Sequence, residues 1–483
     1  MERNFDRNHP LAGSRRQFLQ SATGGLGALA LGSLLAEDHR AALAADGTAK
    51  ADSGNPLLPR MPHFPAKAKN VIFLYMTGGV SHVDSFDPKP QLFEAHNKTV
   101  SVDNFQGKRG DFSMYLKRPN WEFRPGGQSG IEVSDLFPHM RDIVDDLCVI
   151  RSMSTDHTNH YESALGIHCG SWTFARPSLG SWVSYGLGTE NQNLPSFIVI
   201  APQLPYAGNQ VWASDFLPGS HQGTHVIPGD HPFPNIQPQV DRMDLQSLEL
   251  DLLKRANQRY QADASEQALD ARIRSFETAF GMQQEVPKVM DLSQETEETL
   301  SMYGLAPGQN TGFGWQCLVA RRLIEHGVRF VELIDSGSSA ASNWDAHGDI
   351  NTHLPLARNI DQPIAALIRD LKRRGLLDDT LVVWTTEFGR TPYNSAAGAA
   401  GREHHHQVFS SWLAGAGVKP GMVHGSSDDY GIAVAENRVH VHDFHATILH
   451  LLGLNHEQLT FRHAGRDYRL TDVHGNVVRE ILT

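Results

Sequence analysis

The chain has 483 residues, and 42 Lys and Arg against 54 Asp and Glu give it a formal net charge of −12. Hydrophobic residues make up 40% and charged residues 20%, a globular composition that excludes a disordered chain. The acidic balance argues against a dedicated nucleic-acid-binding protein, because such proteins present a basic face. The 26 histidines favour metal chemistry, since imidazole is the commonest metal ligand.

The N-terminal segment has the three parts of an export signal. Ser14–Leu19 reads SRRQFL and resembles the twin-arginine export signature. The weakly hydrophobic stretch Ser21–Ala36 is too short and too rich in glycine to span a membrane, and Ala42–Ala44 supplies a small-x-small cleavage site. We therefore predict a signal peptide over residues 1–44, export to the periplasm or the cell exterior, and no membrane span in the mature chain.

Five apolar runs predict the strands of a central sheet. Each run is apolar on both faces, which is typical of a parallel sheet covered by helices on both sides. Helical patterns lie between the runs, and the clearest extends from about 353 to 374, where Gly375 is expected to end it. The predicted strands are Asn70–Met76, Leu147–Ile150, Ser196–Ile200, Arg329–Ile334 and Thr380–Thr385.

This alternation predicts one α/β domain over residues 69–483, a three-layer αβα sandwich with a mostly parallel central sheet. Residues 45–68 are polar and rich in proline, and we predict that they form a flexible leader. Stretches near 95–130 and 202–290 interrupt the alternation and are predicted insertions. The cysteines are too few and too widely spaced for a disulfide framework or a thiolate zinc site, so we expect buried thiols at Cys148, Cys169 and Cys317.

Polar side chains follow the predicted strands, and ligands bind beyond the carboxyl ends of the strands in open α/β sheets. Asp345 and His347 form an Asp-x-His pair after the fourth strand, and one hard oxygen with one imidazole is a usual pairing for zinc or a similar divalent ion. Other strand ends carry comparable residues, which together favour a metal site. These are His82 and Asp84, His157 and His160, Glu387 and Arg390, and His404–His406.

The loop after the second strand, Arg151–His160, leads into a predicted helix. Free backbone N–H groups and the helix dipole favour anions at a helix N-terminus, so this loop is a candidate for anion binding. The alternative is that Thr158 or Asn159 only caps the helix. Histidines near the C-terminus are predicted to be packing or capping groups, namely His440, His442, His445 and His450.

Five motifs stand in chain order: GGVSHVDSFDPKP (78–90), NWDAHGD (343–349), TTEFGRTP (385–392), GREHHH (401–406) and HDFHATILHLLGL (442–454). Together they resemble the domain of unknown function 1501 family, whose members are often labelled sulfatase-like and are placed in the alkaline phosphatase superfamily. The resemblance extends from about residue 68 to the C-terminus. It implies an alkaline-phosphatase-like core with a metal cluster at the strand ends, acting on phosphate or sulfate esters.

Carried over by position, the resemblance implies that Asp345 and His347 are a metal-binding pair. It places Glu387 at a strand end that usually bears further ligands. The implied cofactor is a divalent metal ion, zinc first, with calcium and manganese as alternatives. The remaining implied ligands are His404 or His405 and, from the first strand, Asp84 or His82.

The loop Ser154–His160 falls where the superfamily has its nucleophile. Thr158 lies nearest to the predicted helix start, so we rank its hydroxyl first as the attacking group, followed by Thr155 and then by a metal-bound water. His160 and Arg390 complete the predicted catalytic set. Sulfatase chemistry of the usual kind is disfavoured because the signature C-x-P-x-R is absent.

The sequence therefore favours an exported metal-dependent hydrolase of phosphate or sulfate esters, with a small-molecule or polysaccharide ester as substrate. The competing hypothesis is a non-catalytic exported binding protein on the same fold. For the site, the alternative is that Glu387 forms a structural ion pair with Arg390 or Arg402. The prediction itself is that one cavity contains Asp345, His347, Glu387 and His404, together with Asp84 or His82.

Overall fold

The computed structural model describes residues 55–105, 108–233, 236, 243–261, 267–339 and 342–483. The predicted signal peptide and the first part of the predicted leader lie outside the described residues. The chain divides into two compact units, residues 54–232 with 289–483 and residues 1–53 with 233–288. The described part of the smaller unit is largely helical. The larger unit contains the central sheet and all the predicted site residues.

A nine-stranded sheet forms the centre of the larger unit. All five predicted strands belong to it, with bounds close to those expected from the apolar runs. Four shorter or less regular strands complete the sheet. In chain order the strands are β1 (Asn70–Met76), β2 (Leu147–Ser154), β3 (Phe197–Ile200), β4 (Thr224–Val226), β5 (Phe330–Asp335), β6 (Thr380–Thr386), β7 (Phe409–Ala414), β8 (Met422–His424) and β9 (Val439–His440).

The sheet is mostly parallel, as predicted. The strand order is β8-β2-β7-β6-β1-β5-β3-β4, and β9 also pairs with β2. Of these strands β7 runs antiparallel to both of its neighbours, so β2 is again parallel to β6 and β1. In the register, Met76 pairs with both Asp335 and Thr386. The three central strands therefore end at the same edge of the sheet, where their following loops meet.

Helices cover both faces of the sheet, which makes the architecture a three-layer α/β sandwich. The α-helices are α1 (Pro90–Glu94), α2 (Pro138–Arg141), α3 (His160–Cys169), α4 (Leu179–Leu187), α5 (Met243–Gln261), α6 (Gln267–Met290), α7 (Glu297–Met302), α8 (Phe313–Glu325), α9 (His353–Arg373) and α10 (Val441–Leu451).

The two faces of the sheet pack against different helices. On one face Val71, Phe73 and Tyr75 belong to the main core together with residues of α3, α4 and α10. On the other face Ile72 and Leu74 are also fully buried, and α8 packs between β5 and α9.

From residue 55 onwards the predicted leader lies along the ends of two helices. The backbone N–H of Arg60 donates to the carbonyl of Leu187 at 2.9 Å, and that of Lys67 donates to the carbonyl of Leu451 at 2.8 Å. These carbonyls belong to the last residues of α4 and α10. The last carbonyls of a helix have no N–H donor within the helix itself. This part of the leader thus belongs to the larger unit, where it supplies the donors that the last carbonyls of the two helices lack.

The predicted insertion near 95–130 contains an antiparallel hairpin, Thr99–Phe105 with Lys108–Leu116, and Tyr393–Asn394 adds a third strand to it. All three cysteines are free and buried, as predicted. Among the described residues no helix is both long and apolar enough to cross a membrane. Further short strand pairs are Phe123–Gly126 with Ile131–Ser134, Gly389–Arg390 with His404–His405, Ser426–Ser427 with Val434–Glu436, and Phe461–His463 with Arg466–Tyr468.

Candidate metal centre

Three histidines and one aspartate converge beyond the carboxyl ends of the central strands. Each of His160, Asp345, His347 and His404 offers one ligand atom, and these atoms all lie within 4.8 Å of one another. His160 is the first residue of α3, which follows β2. Asp345 and His347 belong to the loop after β5. His404 comes from a two-residue strand that pairs with Gly389–Arg390, directly beyond β6. We call these four side chains the His/Asp cluster.

The two oxygens of Asp345 divide the cluster. Oδ1 lies 3.1 Å from Nε2 of His347 and 3.5 Å from Nε2 of His404, and these two nitrogens are 2.8 Å apart. Oδ2 lies 3.4 Å from Nε2 of His160. All three imidazoles therefore direct the same ring nitrogen towards one carboxylate.

The other ring nitrogen of each histidine is held by an oxygen acceptor. Nδ1 of His160 donates to Glu387 at 2.8 Å, that of His347 to Glu403 at 2.7 Å, and that of His404 to the carbonyl of Thr158 at 2.6 Å. Carboxylates and carbonyls accept and do not donate, so the proton of each neutral ring is on Nδ1 and the lone pair is on Nε2. Metal-bound histidines are oriented in this way by their surroundings.

The His/Asp cluster fits a divalent cation. Ligands bound to zinc at 2.0–2.1 Å with tetrahedral angles are separated by roughly 3.3 Å, and the three distances among Oδ1 of Asp345 and the Nε2 atoms of His347 and His404 are 2.8, 3.1 and 3.5 Å. Nε2 of His160 is buried and has no hydrogen-bond partner. Converging lone pairs of nitrogen and oxygen repel one another unless a proton or a cation lies between them, and a divalent ion satisfies all of them together.

The electrostatics of the His/Asp cluster agree with this geometry. Burial by itself raises the pKa of Asp345, but the contacts of its carboxylate with the three histidines, together with the charge of Arg390, outweigh burial and hold that pKa well below its usual range. Hydrogen bonds to Asp345 and Glu403 raise the pKa of His347 to about 9, whereas burial lowers the pKa of His404 to about 4. A cation that binds these atoms has to displace the proton of His347, so its affinity depends on pH.

Glu387 does not join the cluster directly and instead supports His160. It is fully buried, and its carboxylate accepts from the N–H of Gly78 at 2.8 Å and from the hydroxyl of Tyr75 at 3.0 Å. Burial raises the pKa of Glu387, and the hydrogen bond and charge of His160 more than offset this, so that pKa is lowered. Contrary to the prediction, Glu387 reaches the cluster only through the His160 ring.

Neither buried arginine forms the predicted alternative ion pair with Glu387. Arg390 pairs with Asp345 instead, donating from Nη2 to Oδ1 at 2.8 Å. Its other donors go to the backbone carbonyls of Gly78, Gly79 and Arg402, and its side chain is fully buried. Arg390, predicted as catalytic, thus lies at the cluster with its donors committed, and it orients Asp345.

The structure does not bring Asp84 to the cluster, contrary to expectation. Its carboxylate is fully buried and pairs with Arg402 at 2.6 Å. It also accepts from the hydroxyl of Ser81 at 2.5 Å and from the N–H of Asn120 at 3.0 Å. Asp84 belongs to a 3-10 turn, His82–Asp84, that follows the end of β1 at Met76, and its carboxylate pairs with Arg402 there.

His82 and His405, also predicted as ligands, pair with each other elsewhere. Their rings stack at 5.8 Å, and each donates from Nε2 to a carbonyl, His82 to Gly431 at 2.9 Å and His405 to Ile432 at 2.8 Å. Successive side chains of a strand point to opposite faces. Because His404 and His405 form a two-residue strand, only His404 of the two faces the cluster.

The predicted nucleophile loop lies beside the cluster. α3 begins at His160, and Asn159 caps it by accepting from the N–H of Tyr161, so the capping alternative is confirmed for Asn159. Thr158 precedes the helix and contacts His404 through its carbonyl. Thr155 is buried and its hydroxyl accepts from the indole N–H of Trp172 at 3.1 Å.

Two residues of the site were not predicted. Glu403 orients His347, and its position directly before His404 in the GREHHH motif was the available signal. Tyr206 stacks on His160 with ring centroids 4.0 Å apart, and its hydroxyl lies 3.4 Å from Oδ2 of Asp345. It comes from a loop without regular pattern, so no sequence feature distinguished it.

Comparisons with known proteins complete the description of the chain. No curated protein matches it. Similar solved structures include the lipoteichoic acid synthase LtaP from Listeria monocytogenes, with 9% identity and a TM-score of 0.34 over 84% of this chain and 76% of that chain. The alkaline phosphatase from the Antarctic bacterium TAB5 has 12% identity and a TM-score of 0.31 over 81% of this chain and 99% of its own. The PsFucS1 sulfatase from Pseudoalteromonas sp. has 12% identity and a TM-score of 0.33 over 89% of this chain and 72% of its own.

The sequence itself identifies a family. The profile of the family described as Protein of unknown function (DUF1501) matches residues 68–482, which include the whole described sheet and every residue of the His/Asp cluster. The match covers well over half of the chain, and the protein therefore belongs to the DUF1501 family.

Proposed function

We propose that this protein is a metal-dependent hydrolase of phosphate or sulfate esters. The observation that carries the proposal is the orientation of the three histidines of the His/Asp cluster. Each has Nδ1 hydrogen-bonded to an oxygen, and each directs Nε2 towards Asp345. Such an arrangement is costly unless a cation compensates it, and a cation at the strand ends of an α/β sheet lies where ligands bind.

The proposed ion is zinc, because three imidazoles and one carboxylate form a nitrogen-rich donor set that suits it. Asp345, His347 and His404 would hold the ion on the Oδ1 side, with His160 on the Oδ2 side. When bound, a divalent ion polarises an ester oxygen and stabilises the charge that develops on it. Calcium and manganese are the alternatives to be compared in the assay.

The residues of this chain would orient the reacting groups. Arg390 fixes Asp345, and Glu387 fixes His160, each through a direct hydrogen bond. The proposed attacking group is the hydroxyl of Thr158, since the Thr155 hydroxyl already accepts from Trp172. A water molecule is the alternative to Thr158, and the proposed substrate is a small-molecule or polysaccharide ester.

Metal content and turnover of the purified protein test the proposal. Elemental analysis is expected to find a bound divalent ion, and phosphate and sulfate esters are to be assayed with Zn²⁺, Mn²⁺ and Ca²⁺. His404→Ala is expected to lose both the ion and turnover, whereas His231→Ala, which removes an exposed histidine outside the cluster, should retain both. Absence of a bound ion would overturn the proposal. A bound ion without turnover of any ester would favour a binding protein on the same fold.

Thr158→Ala tests the attacking group separately. The contact of Thr158 with His404 is made by its carbonyl, which alanine keeps, so the affinity for the ion should change by less than about twofold. Turnover is expected to be lost. Full turnover by this variant would assign the attack to water or to Thr155.

We also propose export through the twin-arginine route, on the basis of the SRRQFL segment at Ser14–Leu19. The export machinery reads the arginine pair itself, so a double substitution to lysine preserves the charge and removes the signal. Arg15→Lys with Arg16→Lys is expected to retain the protein in the cytoplasm, as measured by cell fractionation. Unchanged export of the double variant would refute this.

A further inference from the structure

Three carboxylates at this sheet edge have little or no exposed surface, and they differ in how many donors they already have. Glu387 has three donors: Oε1 accepts from the N–H of Gly78 and from His160, and Oε2 accepts from the hydroxyl of Tyr75. A carboxylate has about four lone-pair positions. The oxygen of Glu387 that faces the cluster, Oε1, therefore has no lone pair left for a metal ion.

Asp84 has all four of these positions filled. Its Oδ1 accepts from the N–H of Asn120 and from Nη2 of Arg402, and its Oδ2 accepts from the hydroxyl of Ser81 and from Nε of Arg402. The ion pair with Arg402 has no solvent-exposed surface on either side chain. A cation could reach Asp84 only by breaking this pair, which costs several kcal/mol in a buried position.

Asp345 is the exception among these three. Two donors reach it, Nη2 of Arg390 on Oδ1 and the hydroxyl of Tyr206 on Oδ2, and its oxygens otherwise face the Nε2 atoms of the three histidines. Asp345 can therefore bind an ion and keep both of these hydrogen bonds. Of the carboxylates compared here, it alone presents free lone pairs to the cluster histidines.

Arg390 lies where the turn after β1 approaches the cluster. Its donors reach the carbonyls of Gly78 and Gly79, and these glycines adopt φ values of 118° and 90°. A side chain at Gly79 would collide with the Phe388 ring at 2.7 Å, and one at Gly78 would collide with the backbone of Trp344 at 2.6 Å. The two glycines thus let the carbonyls of the first strand end turn towards a guanidinium.

The His/Asp cluster supplies four ligand atoms, which is the number that one tetrahedral zinc ion takes. The guanidinium of Arg390 already contacts Asp345, so a second cation beside Asp345 would meet a fixed positive charge in a region where charges are poorly screened.

We propose that the centre holds one divalent cation and that the buried guanidinium of Arg390 supplies the second positive charge beside it. The inference rests on the proposed metal centre and adds its stoichiometry and the source of its second charge. Arg390 has no exposed surface and its donors are committed, so it acts as a positioning residue and a fixed charge. It stabilises Asp345 and an anion bound at the ion through space.

The number of ions per chain is the primary test. The full-length mature protein is dialysed against excess Zn²⁺ and then analysed for metal, and a parallel sample loaded with Mn²⁺ is examined by EPR, which separates an isolated ion from a coupled pair. We expect one ion per chain and the spectrum of isolated Mn²⁺. Two ions, or a coupled spectrum, would overturn this inference and leave the proposed function standing. No ion would overturn the metal centre itself.

Arg390→Gln and Arg390→Lys test the role of the charge. Both are loaded with Zn²⁺ and titrated with inorganic phosphate by calorimetry. Loss of a fixed charge close to the bound anion is expected to weaken phosphate binding by about tenfold in Arg390→Gln, and Arg390→Lys should recover part of it. Equal phosphate affinity in all three proteins would overturn the role of Arg390. If either variant fails to fold, the ion count of the unmodified protein still decides the stoichiometry.

Discussion

Helix α3 carries a histidine at each end, and both histidines contact a buried glutamate. His168, in the last turn, donates from Nδ1 to the carbonyl of Ala164 at 2.6 Å and bonds through Nε2 to Glu332 of β5 at 2.7 Å. Its side chain is 3% exposed. His160, at the first position, bonds through Nδ1 to Glu387, and its Nε2 faces Asp345 without a hydrogen-bond partner.

The pairs His168–Glu332 and His160–Glu387 contain the same residue types, and they differ in whether the second ring nitrogen of the histidine has a hydrogen-bond partner. At His168 both ring nitrogens have hydrogen-bond partners within the protein. We call His168–Glu332 the closed pair and His160–Glu387 the open pair. At His160 one nitrogen is fixed and the other is presented to a carboxylate, an arrangement that is stable only with a proton or a cation between the two atoms. The comparison shows that a site is recognised by uncommitted ligand atoms, since burial and residue type are similar in both places.

The largest expected effect comes from breaking the closed pair. Glu332→Ala leaves the Nε2 side of His168 buried without an acceptor, so the free energy of unfolding should fall by about 3–5 kcal/mol, measured by urea denaturation. The affinity for Zn²⁺ should stay unchanged. Glu332→Gln should lose less, because its amide oxygen still accepts. A Glu332→Ala protein with altered metal affinity would contradict the separation of the two pairs.

A third histidine, His445, contacts α3, and its contribution to the free energy of unfolding depends on pH. His445 donates from Nε2 to the carbonyl of Ile167 at 2.7 Å, and burial lowers its pKa to about 3. Between this value and about 6.5, the unfolded chain binds the proton and the folded chain does not, so stability present above pH 6.5 is lost on acidification.

From pH 7 to pH 4 we expect this residue to account for about 2–3 kcal/mol of lost unfolding free energy. His445→Asn has no titrating group at the position, and its stability should fall by that much less over the same range. Urea denaturation at the two pH values measures the difference. An identical acid dependence in both proteins would show that His445 is not the buried neutral group described.

The smallest of the three effects concerns the open pair. Glu387→Gln weakens the hydrogen bond that orients His160, and such supporting changes typically lower metal affinity by about 10–100-fold, or roughly 1.4–2.7 kcal/mol. Competition with a chelator measures the affinity. Glu332→Gln is the matched control, the same substitution at the closed pair, and should leave the affinity for Zn²⁺ unchanged. An equal loss of Zn²⁺ affinity in Glu387→Gln and Glu332→Gln would contradict the distinction between the open and the closed pair.

Much of the fold could be predicted because it follows from local pattern. The apolar runs of the five predicted strands are confirmed, and α9 ends at Arg373 with Gly375 in the left-handed region at φ 71°, as expected of a helix-ending glycine. β7 was missed, although its residues are fully buried. An apolar run does not reveal its direction or its partners, and the antiparallel position of β7 depends on pairing with β6 and β2.

The site was predictable to the level of strand ends. Asp345, His347 and His404 meet because three parallel strands end at one edge, and this follows from chain order and hydrophobic pattern. Asp84, His82 and His405 have suitable chemistry and lie in the neighbouring sequence, yet Asp84 pairs with Arg402, and His82 and His405 stack on each other outside the cluster. Their partners come from distant segments, such as Arg402 for Asp84, so the sequence offered no way to exclude them.

The sequence by itself determined the alternation of strands and helices, the edge of the sheet at which polar residues collect, and the chemical character of the candidate ligands. These properties depend on the periodicity and identity of residues, which are local. Only the tertiary structure decided which nitrogen and oxygen atoms remain uncommitted, because that depends on donors and acceptors supplied across the fold. Glu387, Glu403 and the carbonyl of Thr158 take one nitrogen of each cluster histidine, and the other nitrogen is thereby left for an ion.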